Sequence, residues 1–411
     1  MLNWYRELGA SGRQTFWGCF GGWALDAFDV QLFSFVLPAL MLAIGMTQAE
    51  AGMLGTVALV SSALGGWVAG VLADRYGRVR VLQWSILWYS AFTALAATSQ
   101  SFEQLLMWRV LQGLGFGGEW AAGAVLIGEI VRPQNRGKAV GFVQSAYAVG
   151  WFAAAAVSTL VLGALPADYA WRVVFVLGLL PALLVIYIRR SVTEPPLFQR
   201  ADRRKGGGTG HGPFAIFAPR IVRTTLLACL LAAGVQGSSY AIIFWLPTFL
   251  STVRHLGTAA AGSYVMVTTL GAFCGYLCGA YLTDAVGRRR HFLIYAIGCW
   301  VIDFIYMFVP ASNATLLWLG LPFGFFSQGI YASLGPYFTE LFPTSIRATG
   351  QSFAYNFGRS IGGIFVTVVG ILAHSMPLGW AIGILSLCGY ALAIVATLLL
   401  PETRGLVLEE A

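Results

Sequence analysis

The chain has 411 residues, 58% of them hydrophobic and only 10% charged, whereas a soluble domain carries about a quarter of its residues as Asp, Glu, Lys or Arg. With a mean hydropathy of +0.73, the composition excludes a soluble catalytic or binding domain and predicts an all-α membrane protein. The net charge of +8 does not point to nucleic acid, because the basic residues form short clusters between apolar stretches rather than one exposed face.

A bilayer's hydrocarbon layer takes about 20 apolar residues per helix. Apolar runs punctuated by Gly, Pro and charge predict twelve spans: 16–44, 49–73, 79–99, 103–131, 137–165, 170–189, 221–251, 258–283, 291–310, 314–341, 347–373 and 378–400. Between the sixth and seventh, residues 190–219 carry Arg203-Arg204-Lys205 and Gly206-Gly207-Gly208 and read as a polar cytoplasmic linker. They divide the chain into an N-terminal six-helix bundle over 1–189 and a C-terminal one over 220–411. The polar N-terminal lead has no small-residue cleavage pattern, so no removable signal peptide is expected.

Arg109 and Arg359 fall inside spans, and Arg172 and Arg254 in loops on one side. The other 21 of the 25 Lys and Arg lie on the opposite side, together with both termini, which predicts cytoplasmic termini because basic loops stay on that side. The six cysteines all lie in apolar stretches and imply neither disulfide nor metal site. His211, His255, His291 and His374 sit in loops or at span ends, which argues against a histidine proton relay.

The two halves repeat. Asp74-Arg75-Tyr76-Gly77-Arg78 follows the second span as Asp284-Ala285-Val286-Gly287-Arg288 follows the eighth, and Glu129 and Arg136 flank the fourth loop as Glu340 and Arg347 flank the tenth. Two fused six-helix units related by an axis along the membrane normal are one of the standard transporter plans. Gly66-x-x-x-Gly70 and Gly271-x-x-x-Gly275-x-x-x-Gly279 read as helix-packing surfaces. So does Gly113-x-Gly115-x-x-Gly118, which lacks the preceding strand that a dinucleotide site needs. Where the first copy has Gly70 the second has Ala280, which predicts looser packing there.

At these residues the chain resembles the major facilitator superfamily over its whole length. Gly70-Val71-Leu72-Ala73-Asp74-Arg75-Tyr76-Gly77-Arg78 matches that superfamily's G-x-L-a-D-R-x-G-R loop. Arg109 with Gly113, Gly115 and Gly117 matches its fourth-helix motif, and Pro401-Glu402-Thr403-Arg404-Gly405 resembles its P-E-T-x-G ending. Three further segments, Trp23-Ala24-Leu25-Asp26-Ala27-Phe28-Asp29, Gly117-Gly118-Glu119-Trp120 and Tyr355-Asn356-Phe357-Gly358-Arg359, are similar to the sialate and monocarboxylate proton symporters, with the aromatic-acid symporters close behind. The resemblance implies an anionic substrate moved by alternating access.

Asp26 and Asp29 lie mid-way along the first span, where a charge costs about 2.5–3.5 kcal/mol on insertion scales. Each is either a proton-coupling carboxyl or a structural hydrogen-bonding group, and three residues apart they share a helix face. Arg109 cannot lose its proton and needs an anionic partner. In related sugar symporters the matching Asp and Arg pair, so the resemblance assigns that role to Asp29 and Arg109, the alternative being an arginine that caps carbonyls. Glu119 is a second proton site or a partner for a Ser, Gln or Tyr on an adjoining helix.

Arg359 is charged where the repeat places Val149 or Gly150, so generic scaffolding does not account for it. Its planar fork matches a carboxylate, which makes it the expected substrate ligand, against a structural pair with an acid. Gln144, Tyr147, Gln236, Tyr240, Gln328, Tyr331, Tyr355 and Asn356 are mid-span polar groups that either line a cavity around it or hold helices together. Asp303, in the ninth span, is expected to be local and structural. Asp74, Arg78, Glu129 and Arg136, with Asp284, Arg288, Glu340 and Arg347, are expected to latch a cytoplasmic gate.

These readings converge on proton-coupled symport of a small organic anion, such as a monocarboxylate, a sialate-like acid or an aromatic acid, by a multi-pass monomer of a bacterial inner membrane, with no cofactor or metal. A carrier of neutral sugars or drugs is the first alternative. A polytopic membrane enzyme is the second, and it lacks the H-E-x-x-H and G-x-S-x-G signatures that such enzymes show.

Overall fold

The computed structural model describes residues 5, 7–76, 78–130, 136–183, 185, 216–343 and 346–404. Helices α1 (Ala10–Ile44), α2 (Gln48–Tyr76), α3 (Arg78–Ala96), α4 (Phe102–Ile130) and α5 (Arg136–Ala164) form the first five spans. The sixth opens with α6 (Ala167–Leu177). Then come α7 (Val222–Thr252), α8 (Thr258–Val286), α9 (Arg288–Phe308), α10 (Asn313–Gly329), α11 (Leu334–Leu341), α12 (Arg347–Leu372) and α13 (Leu378–Leu399). Among the described residues, seven helices are by length and composition alone apolar enough to cross a membrane. They include α1, α7 and α9. Trp88, Trp300 and Phe304 stand exposed on the outer faces, a distribution that suits lipid and that water would not tolerate over so large an area.

The ends of these helices follow local chemistry. At the start of α2, Thr47 Oγ1 accepts from the Glu50 N–H at 3.2 Å while the Glu50 carboxylate accepts from the Thr47 N–H at 2.8 Å, a reciprocal cap. The α1 helix ends on Gly45 at φ 73°, a left-handed turn that glycine adopts without strain. Two predicted spans are interrupted. The sixth breaks at a Gly178–Leu179 turn just before Pro181, which has no N–H to carry the helical ladder across the turn. The tenth tightens to a 3₁₀ turn over Ile330–Ser333 between α10 and α11.

Contacts follow the repeat. The α2–α4 pair mirrors α8–α10, and α1–α5 mirrors α7–α12. The α2–α4 seam is closed by Gly65 against Leu114 and Gly66 against Gly117, and the α8–α10 seam by Gly271 against Leu321, Gly275 against Phe325 and Gly279 against Gly329. In each case a methyl group would strike a facing carbonyl, so the glycines let backbones meet directly. Ala280 does not loosen the packing as expected. It is buried, and its methyl sits against Gly141 of α5, so the extra carbon fills space that a glycine on the other helix leaves.

The halves touch along α2–α12, α5–α8 and α1–α7. On the face opposite the chain termini, Gly52 abuts Val366 and Thr367, Gly370 abuts Gln48, and Thr56 Oγ1 donates to the Gly363 carbonyl at 2.5 Å. Phe33 of α1 packs on Phe244 of α7 with ring centroids 5.6 Å apart. A solute reaches the centre from that face only if these helices part.

Candidate functional site

Between the halves lie two adjoining pockets that share Val30, Leu59, Phe116, Tyr147, Tyr240 and Ile243. One reaches Gln31, Ser34, Arg109 and Gln112. The other is lined by Trp23, Gln144, Tyr276, Gln328, Tyr331, Tyr355 and Arg359 among others. Seven of the predicted cavity residues, Gln144, Tyr147, Tyr240, Gln328, Tyr331, Tyr355 and Arg359, therefore share one wall system.

Arg359 is buried in α12 and held from behind. Its Nε donates to Tyr240 Oη at 3.3 Å, Tyr240 donates to Gln236 Oε1 at 3.1 Å, and Gln236 Nε2 donates to the Tyr355 carbonyl at 2.9 Å. The guanidinium lies over the Phe116 ring at 4.6 Å and the Tyr355 ring at 5.8 Å, contacts that stabilise a cation away from water. Its two terminal nitrogens make no hydrogen bond to any described residue and carry the pair of N–H groups suited to a carboxylate. Among the described residues, no carboxylate forms a salt bridge with it. Asp26 is buried near enough to interact electrostatically with Arg359, Tyr355 and Tyr147.

Asp29 faces other neighbours. Its Oδ2 accepts from Gln112 Nε2 at 2.6 Å and from Thr93 Oγ1 at 3.0 Å, while its buried Oδ1 has no hydrogen bond and lies beside Gly178. The expected direct pair with Arg109 is replaced by a bridge. Arg109 Nη1 donates to Gln112 Oε1 at 2.5 Å, and the guanidinium stacks on Phe33 at 4.1 Å. Arg109 and Gln112 line the first of the two pockets, with Asp29 behind them. Asp26 and Asp29 thus leave one helix into separate environments, one toward Arg359 and one toward α3, α4 and α6, because three residues still differ by about 60° around a helix.

Two predicted cavity residues hold structure instead. Asn356 Nδ2 bonds back to the Ser352 carbonyl at 3.0 Å and its amide packs toward Gly66, so it serves the α12–α2 contact. Gln236 is the strut behind Tyr240 described above. Gln112 is the main residue that reading the sequence missed. Its signal was its place three residues after Arg109, on the same helix face.

On the face carrying the termini, Arg288 joins Asp284 and Glu340, both at 2.8 Å. Thr403 Oγ1 donates to Glu340 at 2.5 Å, and the Glu402 carboxylate accepts from the backbone N–H of Arg288 at 2.9 Å and of Arg289 at 3.1 Å. An acid at a helix N-terminus meets unpaired N–H groups and the positive end of the dipole. All these partners belong to the second half, so the cluster fastens α8, α9, α11 and the segment after α13 to one another. The side chains of Asp74, Arg78, Glu119, Glu129, Arg136 and Arg347 lie outside the described residues. Asp303 is buried in α9 near Ser386 of α13, away from the cavity.

Residues 19–367 match the family model described as "Major Facilitator Superfamily". The chain is 45% identical over 409 residues to the "Probable 4-methylmuconolactone transporter" of Cupriavidus pinatubonensis, covering 100% of this chain and 95% of the relative. It is 29% identical over 385 residues to the "Cis,cis-muconate transport protein" of Acinetobacter baylyi, covering 92% of each. The structure of the xylose transporter XylE from E. coli in an inward-open conformation superposes with a TM-score of 0.75 at 17% identity, over 96% of this chain and 97% of that one.

Proposed function

The chain belongs to the major facilitator superfamily and is a membrane transporter, and from that premise we propose that it carries a small organic anion together with protons across a bacterial inner membrane. The observation that carries this reading is Arg359: a buried guanidinium, positioned by Tyr240 and Gln236, that lines a central cavity and forms no salt bridge with a carboxylate among the described residues. A fixed cation in a dry cavity is costly until an anion joins it, so the site favours a carboxylate over a neutral solute. The two relatives, named for 4-methylmuconolactone and cis,cis-muconate, are named for organic acids, which supports that class.

In this reading the units 1–189 and 220–411 rock about the cavity as a monomer, with both termini cytoplasmic and residues 190–219 as the linker. Entry from outside requires the α2–α12 contact at Gly52, Thr56 and Gly370 to open. Asp29 takes the coupled proton. Protonation removes the charge of its carboxylate, which weakens the charge-assisted bond that holds the Gln112 amide and so loosens Gln112 and Arg109 at the pocket wall. Asp26 balances Arg359 when no substrate is bound, and Glu119 is a further proton-site candidate. Asp74, Arg78, Glu129 and Arg136, with Asp284, Arg288, Glu340 and Arg347, stiffen each half at the gate.

The test uses purified protein in sealed vesicles with an imposed inward proton gradient. A labelled carboxylic acid should accumulate above equilibrium, and an uncoupler should abolish the accumulation. Gradient-independent uptake, or equal uptake of the acid and its neutral amide, overturns the proposal.

A further inference from the structure

Gln328 on α10 is almost fully buried and lines the same pocket as Arg359. Its Oε1 accepts from the Tyr276 hydroxyl at 3.0 Å, which leaves Nε2 as the free end. That nitrogen is buried and has no hydrogen-bond partner among the described residues. A buried donor left unpaired costs about 1–3 kcal/mol, and native interiors rarely keep one without a use. Here that donor and the terminal nitrogens of Arg359, which make no hydrogen bond to any described residue, belong to one cavity whose remaining wall is largely aromatic, with Trp23, Phe116 and Tyr331 in it. Aromatic walls favour a flat apolar body with a few polar ends.

We propose that the cavity recognises a flat, unsaturated monocarboxylate at two points: the carboxylate on Arg359, and a neutral carbonyl oxygen, such as that of a lactone or ring ketone, on Gln328 Nε2. This rests on the reading of Arg359 above and adds the second point. A second carboxylate is not the favoured group, because Gln328 brings no charge to balance it. The other cation in the cavity, Arg109, already gives Nη1 to Gln112 and lies against Phe33. Nor is a polyhydroxylated acid favoured, since each of its hydroxyls needs a partner and the hydroxyls and amides of Tyr240, Gln236 and Tyr276 are engaged with one another, with Gln328 or with backbone.

Four probes test this by competition binding on the purified protein: (5-oxo-2,5-dihydrofuran-2-yl)acetate, the ring ether (2,5-dihydrofuran-2-yl)acetate that lacks only the carbonyl, cis,cis-muconate as the dicarboxylate, and the amide of the first acid. In wild type the lactone acid should bind about tenfold more tightly than the ring ether and the dicarboxylate, the value of one hydrogen bond to a buried donor. Gln328→Met should erase the preference over the ring ether while keeping the preference for acid over amide, and Tyr276→Phe, which frees the Gln328 amide to turn, should reduce it. If wild type binds both ring acids equally, or if Gln328→Met keeps the tenfold preference, the second contact is wrong and the Arg359 reading stands. If the dicarboxylate binds most tightly, a second cation reads the ligand and the proposal falls. If the amide competes as well as the acid, the Arg359 reading itself fails.

Discussion

Removing the Gln112 side-chain amide takes away the bridge between Asp29 and Arg109. In Gln112→Met the shape is nearly kept, but three hydrogen bonds go: from Arg109 at 2.5 Å, to Asp29 at 2.6 Å and to Thr93 at 2.7 Å. Bonds to charged partners contribute about 1.5–3 kcal/mol each and a neutral one about 1 kcal/mol, so the gross loss is about 4–7 kcal/mol. Water entering from the pocket and direct approach of Arg109 to Asp29 will recover part, leaving an expected net destabilisation of about 2–4 kcal/mol. If the bridge transmits protonation of Asp29 to the pocket wall, Gln112→Met should lose most proton-driven accumulation in vesicles and keep exchange of labelled for unlabelled acid at equal concentrations. Wild-type accumulation in the mutant would refute the relay. Parallel loss of accumulation and exchange would reduce Gln112 to a packing residue.

Asp29→Asn should likewise abolish accumulation and retain exchange, since an amide cannot carry the proton; full accumulation would move the coupling role elsewhere. Arg359→Ala should weaken acid binding by 30-fold or more, from a loss of about 2–5 kcal/mol for a buried charge pair, and Arg359→Lys should recover only part because one ammonium cannot match two oxygens. Equal acid-over-amide preference in wild type and Arg359→Ala would count against the assignment. Gly275→Val places a branched side chain against the Phe325 backbone and should lower the melting temperature in detergent by several degrees or prevent assembly, and a mutant as stable as wild type would show that the α8–α10 seam has slack.

The spans were legible because a membrane helix is written in about twenty consecutive residues, without reference to its neighbours. The breaks in the sixth and tenth spans were not, since Gly178 and the Ile330–Ser333 turn sit in runs as apolar as any continuous helix. Arg359 could be read because the repeat has no second copy of it and a lone intramembrane charge needs a reason. Gln112 and Asn356 could not be sorted the same way. Both are neutral amides whose targets depend on which side chain the neighbouring helix presents, and packing sent Gln112 to Asp29 and Asn356 back to its own helix. The expected Asp29–Arg109 pair shows the same limit, since no spacing in the sequence reveals that a glutamine stands between the two.

Glu402 caps the backbone of Arg288 from 114 residues further along the chain. During synthesis α9 must therefore emerge with its first N–H groups unmet and wait while three more spans are made. Until Pro401–Thr403 arrives, Glu340 lacks its hydroxyl partner and the loop between α8 and α9 has only Asp284 and Glu340 to hold it. The second half is thus fastened by a segment made only after all of its described spans, so α8, α9 and α11 lack these ties while α12 and α13 are still being inserted.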